Sequence, residues 1–297
     1  HVAEIVPGTA PSLSASACVA CGACVDTCPT AALQDRPALE HGAPERWTRT
    51  VCPYCGTGCE LELGTTGARA IVARPLLDAP ASHGHLCVKG RYAVDFGAHA
   101  DRVTQPMLRE HGAWRAVTWD EALRFVRDGI KAIRARHGAR SLALLGSARC
   151  TNEENYLAQK FARVVLGNHN IDCCARVCHT PTAAAMKLML GAGAATNSYD
   201  DIELARAILV CGANPTENHP VIGARIKRAA RNGACLIVID PRRTELAEMA
   251  ALHVAPRPGG NIPLLNAMAG VIVRERWIDE AFVSARVAEF DAFRDFI

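Results

Sequence analysis

Arg49-Thr50-Val51-Cys52-Pro53-Tyr54-Cys55-Gly56-Thr57-Gly58-Cys59 places three thiols within eight residues, and Cys87 follows after a gap of 27. Thiols this dense, in short ordered spacings, suit metal ligation better than crosslinking or core filling. Directly after them, Glu60-Leu61-Glu62-Leu63 alternates polar and apolar, the pattern of a half-buried strand. A turn from Gly64 to Gly67 then lets Ala70-Ile71-Val72-Ala73 pair back as a hairpin. Cys87 arrives within His85-Leu86-Cys87-Val88-Lys89-Gly90-Arg91. His83 and His85 read as solvated loop residues, because Cys52, Cys55, Cys59 and Cys87 already satisfy a four-iron cubane.

A second quartet stands upstream as Cys18-x2-Cys21-x2-Cys24-x3-Cys28, followed by Pro29, so eight of the fourteen cysteines fall in the first 87 residues. The run resembles the bacterial ferredoxin cluster-binding pattern, and zinc motifs rarely use this spacing. Gly22 relieves the tight loop, and Pro29 is expected to open a helix over residues 29–33. In two-cluster ferredoxins the fourth cysteine of each run ligates the other cluster. Residues 1–17 contain no cysteine. Either Cys18, Cys21, Cys24 and Cys28 hold one cluster together, or a partner run lies upstream of a truncated start, the reading favoured here.

Composition sets the outer bounds. With 297 residues and 49% apolar content, one to three domains with a real core are expected. A net charge of +3 gives no bias toward nucleic acid. No apolar run reaches the roughly 18–20 residues that span a bilayer. Cysteines clustered in metal spacings fit a reducing, cytoplasmic setting.

From about residue 115 the period changes. Thr118-x-x-Glu121 reads as a capping box, with Leu123, Val126, Ile130 and Ile133 as a helical stripe. Residues 141–146 read as a buried strand, and Leu157, Phe161, Val164 and Val165 mark the next helix. Strands at 207–211 and 236–239 flank a helix begun by Pro220, which predicts a parallel, doubly wound sheet. The loops Gly212–Asn218 and Asp240–Arg243 lie at strand carboxyl ends, where such sheets bind ligands. Gly191-Ala192-Gly193-Ala194-Ala195 mimics a dinucleotide motif but follows an apparent helix, so it is set aside.

The second quartet with its flanks resembles the N-terminal cluster domain of the molybdenum or tungsten bis-pterin oxidoreductases. Within them, Ala175-Arg176-Val177-Cys178-His179-Thr180-Pro181 resembles the active-site signature of formate dehydrogenases, and Ser147 to Tyr156 continues the match. The resemblance is strongest to the catalytic subunits of soluble, NAD-linked formate dehydrogenases. It implies an α/β body with a doubly wound parallel sheet (106–297, truncated), preceded by a ferredoxin-like arm (1–40) and a β-rich 4Fe-4S domain (45–105). It implies 4Fe-4S clusters and a molybdenum or tungsten bis-molybdopterin guanine dinucleotide. Cys178 would ligate the metal, His179 would assist at the substrate, and Arg149 would contact the pterin. Asn214, Glu217, Asp240, Arg242 and Asn261 would hold the dinucleotide arms. Cys173 and Cys174 read as packing residues, and Cys150 has no assigned role.

The implied reaction is oxidation of formate to carbon dioxide. Electrons would pass by way of Lys89 to the second quartet, then to the first, then to partner subunits carrying flavin, NAD and further iron–sulfur clusters. Two alternatives share the fold. One is an electron-transfer subunit similar to the large iron–sulfur subunit of NADH dehydrogenase, which has no need of the Cys178-His179 pair. The other is nitrate reduction, against which His179 argues.

Overall fold

The computed structural model describes residues 9–297. The ferredoxin-like run carries two short helices, α1 (Ala23–Asp26) and α2 (Arg36–His41). The helix expected over residues 29–33 does not form. Ala31 adopts φ +53°, which breaks any helix there and curls the chain back toward Cys28.

The second quartet sits on a three-stranded antiparallel sheet in the order β1 (Arg46–Val51), β2 (Glu60–Thr66), β3 (Arg69–Pro75). The hairpin is as expected, but its turn is shorter. β2 runs through Gly64, with a register shift between Gly64 and Thr65, and the chain reverses at Gly67–Ala68. Gly64 is glycine for a packing reason, since a Cβ there would meet Pro44 and Val72 at 2.8 Å. Leu61, Ala73 and Leu86 pack with Cys52 and Cys59 into a core that also takes Val221 from the body. Helix α3 (Val88–Tyr92) follows directly on Cys87.

A hairpin of β4 (Met107–Glu110) and β5 (Ala113–Ala116) leads to the 19-residue helix α4 (Trp119–His137). The capping box is half formed. Thr118 accepts from Glu121 N, but the Glu121 carboxylate takes Arg115 at 2.6 Å instead of the cap backbone. The complete box lies at α5 (Asn152–Lys160), where Thr151 and Glu154 bond reciprocally. The apolar stripe of α4 is mostly uncovered: Leu123, Val126 and Ile133 are exposed, and Ile130 is half-buried.

The parallel sheet is present in two pieces. β6 (Leu144–Gly146) pairs with β7 (Ile171–Cys173), a strand the cysteine-rich pattern concealed. Helices α6 (Ala175–Cys178) and α7 (Thr180–Leu190) follow β7, and Gly191 ends α7 at φ +75°, so the glycine run does follow a helix. Helix α8 (Asp201–Leu204) precedes the larger piece. That piece has the order β10 (Leu252–Val254), β9 (Cys235–Ile239), β8 (Ala207–Cys211), all parallel.

Helices α9 (Pro215–Asn218) and α10 (Pro220–Arg231) connect β8 to β9, and α11 (Glu245–Met249) connects β9 to β10. Val210, Leu236 and Val238 pack against Ile226 of α10 and Leu246 of α11, the core that fixes these strand ends. Helices α12 (Asn261–Arg274), α13 (Glu280–Arg286) and α14 (Phe290–Phe296) complete the described chain. Among the described residues no helix is long and apolar enough to cross a membrane.

Candidate functional site

The loop between β1 and β2 is closed by Cys52 N donating to Cys59 O at 2.9 Å, which turns three cysteines toward one space. Cys87, at the start of α3, supplies the fourth. Together these four thiols line a small cavity whose far wall is Pro220 and Val221 of α10. Among the described residues no three Cys, His, Asp or Glu form a group that could hold a metal ion. The four thiols stand around a space and do not converge on one point.

Burial pushes the Cys59 thiol up to about 12, and the neighbouring cysteines add to the shift. Burial raises Cys52 as well, against the backbone N–H of Tyr54. Two of the four thiols, Cys52 and Cys59, are buried and Cys55 and Cys87 half-buried, so ionising the buried pair calls for a positive core among the four, which an iron–sulfur cluster provides. Gly90 shapes the same wall: a Cβ there would lie 3.3 Å from Cys52 Sγ. The residues fit a 4Fe-4S cluster.

The first quartet is more open. Cys18 and Cys24 are exposed, and Cys21 and Cys28 are half-buried. The curled chain after Cys28 aims the Leu33 N–H and the Thr30 hydroxyl at its sulfur, lowering that thiol to about 7. Such donors are what a cluster thiolate uses to set its potential.

Most of the other residues singled out from the sequence lie after a parallel strand, whereas Lys89 stands in α3. Asn214 follows β8, Asp240 and Arg242 follow β9, and Asn261 opens α12 after β10. Asp240 Oδ1 accepts from Arg242 N at 2.8 Å, which makes the turn and leaves the Arg242 guanidinium exposed. Glu217 Oε1 stands 3.8 Å from Arg242 Nη2, and Lys89 Nζ donates to Glu217 O at 3.3 Å. Lys89, Glu217 and Arg242 thus come together from three segments. In the same loop, Asn214 Oδ1 and Thr216 Oγ1 are buried with no hydrogen-bond partner. Orphaned acceptors of this kind call for a ligand or water, so this loop fits a polar cofactor arm. Asn261 is exposed and joins none of these contacts.

Arg149 and Cys178 follow the smaller parallel pair, β6–β7. Arg149 Nη1 reaches Pro53 O, at 3.4 Å, in the second-quartet loop. Cys178 and His179 are both exposed, and no hydrogen bond joins them to the loops after β8 and β9 among the described residues. The packing reading of Cys174 fails. It is exposed, and its sulfur accepts from Ala148 N at 3.5 Å, a contact that lowers its thiol below the ordinary value. Cys173 is half-buried at the end of β7. His83, read as a loop residue, is exposed with Nε2 3.3 Å from Asp200 Oδ1.

Two contributions were missed. Pro220 and Val221 wall the thiol cavity although they belong to the distant α/β body; only the helix-opening role of Pro220 showed in the sequence. Arg91, within a run already singled out, forms a buried ion-pair network with Asp26 and Asp35. No sequence signal ties residues 56 and 65 positions apart.

The molybdopterin oxidoreductase family matches residues 102–287, its Fe4S4 domain residues 45–99, and a 4Fe-4S binding domain residues 11–34. The F420-dependent formate dehydrogenase subunit alpha of Methanocaldococcus jannaschii is 43% identical over 248 residues, covering 84% of this chain and 36% of that protein. Formate dehydrogenase H of Escherichia coli is 40% identical over 255 residues, again covering 84% and 36%. Among solved structures, acetylene hydratase from Pelobacter acetylenicus superposes with a TM-score of 0.69 at 25% identity, covering 84% of this chain and 34% of that one. The chain spans about 36% of the length of these formate dehydrogenase relatives.

Proposed function

The chain belongs to the molybdopterin oxidoreductase family, and from that premise we propose that it is part of a formate dehydrogenase catalytic subunit, with units at 1–40, 45–105 and 106–297. The observation that carries the reading is the shared wall between the two sites. The thiol cavity is closed by α10 of the α/β body, and Lys89 reaches from the helix after Cys87 to the Glu217 backbone. A cluster held by Cys52, Cys55, Cys59 and Cys87 would therefore adjoin the loop that offers Asn214, Thr216 and Glu217 to a pterin arm.

When bound, the molybdenum or tungsten bis-pterin supplies the two-electron chemistry. Cys178 would give the soft thiolate ligand such a metal prefers. Formate would leave as carbon dioxide with two electrons and one proton, and the exposed imidazole of His179 would hold that proton. Lys89 would hold a fixed positive charge between the two sites. Arg149 would contact the pterin, and Asn214, Glu217, Asp240, Arg242 and Asn261 the dinucleotide arms.

The choice of formate rests on the Cys178-His179 pair and on relatives that bear that activity in their names. The acceptor is proposed to be NAD, through flavin-bearing partner subunits in a reducing cytoplasm. Three relatives named as F420-dependent make F420 the second reading. Cys178→Ala in the holoenzyme tests the site: formate-dependent dye reduction is expected to vanish while iron content stays unchanged. Retention of that activity would overturn the assignment, and assays with NAD and with F420 decide the acceptor.

A further inference from the structure

We infer that Arg91 is the joint that fixes the first cysteine quartet against the second, a positioning residue for electron passage between them. The inference rests on the proposed reading that both quartets hold clusters. Arg91 stands in α3, one turn after Cys87, with only 2% of its side chain exposed. A guanidinium so buried is tolerated only when paired.

Here four of its five N–H donors are used, all on the first-quartet segment. Nη1 and Nη2 each donate to Asp26 at 2.8 Å, while Nε and Nη2 donate to Asp35 Oδ2 at 3.1 and 2.6 Å. The Tyr92 hydroxyl adds a bond to Asp35 Oδ1 at 2.6 Å. Burial opposes the Arg91 charge, but the hydrogen bonds it donates to Asp26 and Asp35 outweigh that and hold the guanidinium ionised.

The fit is close. Gly22, at φ +75° beside Cys21, would place a Cβ 2.8 Å from Arg91 Nε. Asp26 lies between Cys24 and Cys28, and Asp35 precedes α2. The joint therefore grips the first quartet on both sides of Cys28 and binds it to the helix that carries Cys87. Bidentate pairing to Asp26, with two further bonds to a single oxygen of Asp35, fixes orientation as well as separation, and electron tunnelling depends steeply on both.

The test compares Arg91→Gln and Tyr92→Phe with wild type in the cluster-loaded holoenzyme. Both clusters are expected to assemble, with iron content unchanged. In Arg91→Gln the magnetic coupling between the reduced clusters, read by electron paramagnetic resonance, is expected to be lost. Amide exchange across residues 18–35 should accelerate roughly a hundredfold or more, as removal of one partner from a buried pair implies. Unchanged coupling and unchanged exchange would overturn the joint. Wild type with only one cluster's iron would instead remove the two-cluster reading, and exchange alone would then decide whether Arg91 holds the segment. Should Arg91→Gln fail to accumulate, Tyr92→Phe supplies a milder form of the same comparison: faster exchange across residues 18–35 supports the joint, and wild-type exchange overturns it.

Discussion

Gly90→Ala separates the demands of the folded chain from those of its cluster. Gly90 is the middle residue of α3, buried behind Cys52. Without a cluster, alanine gains about 1 kcal/mol of helix propensity over glycine. The new Cβ would stand 3.3 Å from Cys52 Sγ and 3.6 Å from Leu86 Cδ2, but a free thiol can turn to another rotamer. The two effects offset, so the cluster-free variant is expected to match wild type or exceed it slightly.

With the cluster bound, Cys52 Sγ is fixed by iron and cannot turn. Overpacking of this kind costs roughly 1–3 kcal/mol, and about 1.4 kcal/mol corresponds to a tenfold weaker binding constant. Urea denaturation of the loaded and cluster-free proteins, with iron stoichiometry, measures the difference. Gly129→Ala on the open face of α4, where nothing lies within 4 Å, provides the propensity gain alone. Gly90→Ala stabilising both forms as Gly129→Ala does would refute the argument that this wall is shaped around a held thiolate.

Lys89→Met should leave iron content intact and slow formate-driven cluster reduction about tenfold or more, from loss of a charged hydrogen bond worth roughly 1.5–3 kcal/mol; stopped-flow spectroscopy reads the rate. Asp200, bonded by Arg225, has its carboxyl held below the usual carboxylate value. Its contribution is therefore complete above the unfolded value of about 3.9 and is lost as pH falls through the lower folded value. Asp200→Asn is expected to flatten that acid limb in denaturation curves taken between about pH 5 and 2, and an unchanged limb would count against the pairing.

Local patterns were more legible in the sequence than the packing of the scaffold. Cysteine spacing at 52–59 and the residues around Cys87 were legible because ligand geometry is local, and β8, α10 and β9 because their periodicities are. The α4 stripe was equally legible as apolar, yet its pattern could not say what covers it, and Leu123 and Val126 stay exposed. The strand at Ile171–Cys173 hid because three residues give too short a period to read. Cys174 was read as a packing thiol, whereas its sulfur turns outward to meet Ala148 N. Long-range charge pairing was invisible. Arg91 meets Asp26 and Asp35 only because the sheet and α3 bring them together, and Lys89 meets Glu217 across 128 residues for the same kind of reason.

The central claim is that the cluster cavity of Cys52, Cys55, Cys59 and Cys87 adjoins a formate-oxidising metal–pterin site. Freeze-quench electron paramagnetic resonance of the holoenzyme, with its molybdenum and tungsten content measured and formate as the sole reductant, tests it directly. The account predicts that formate alone generates the reduced 4Fe-4S signal, and that Cys178→Ala abolishes it while dithionite still produces it. Clusters that stay oxidised under formate in a metal-replete enzyme, yet reduce with dithionite, would contradict it.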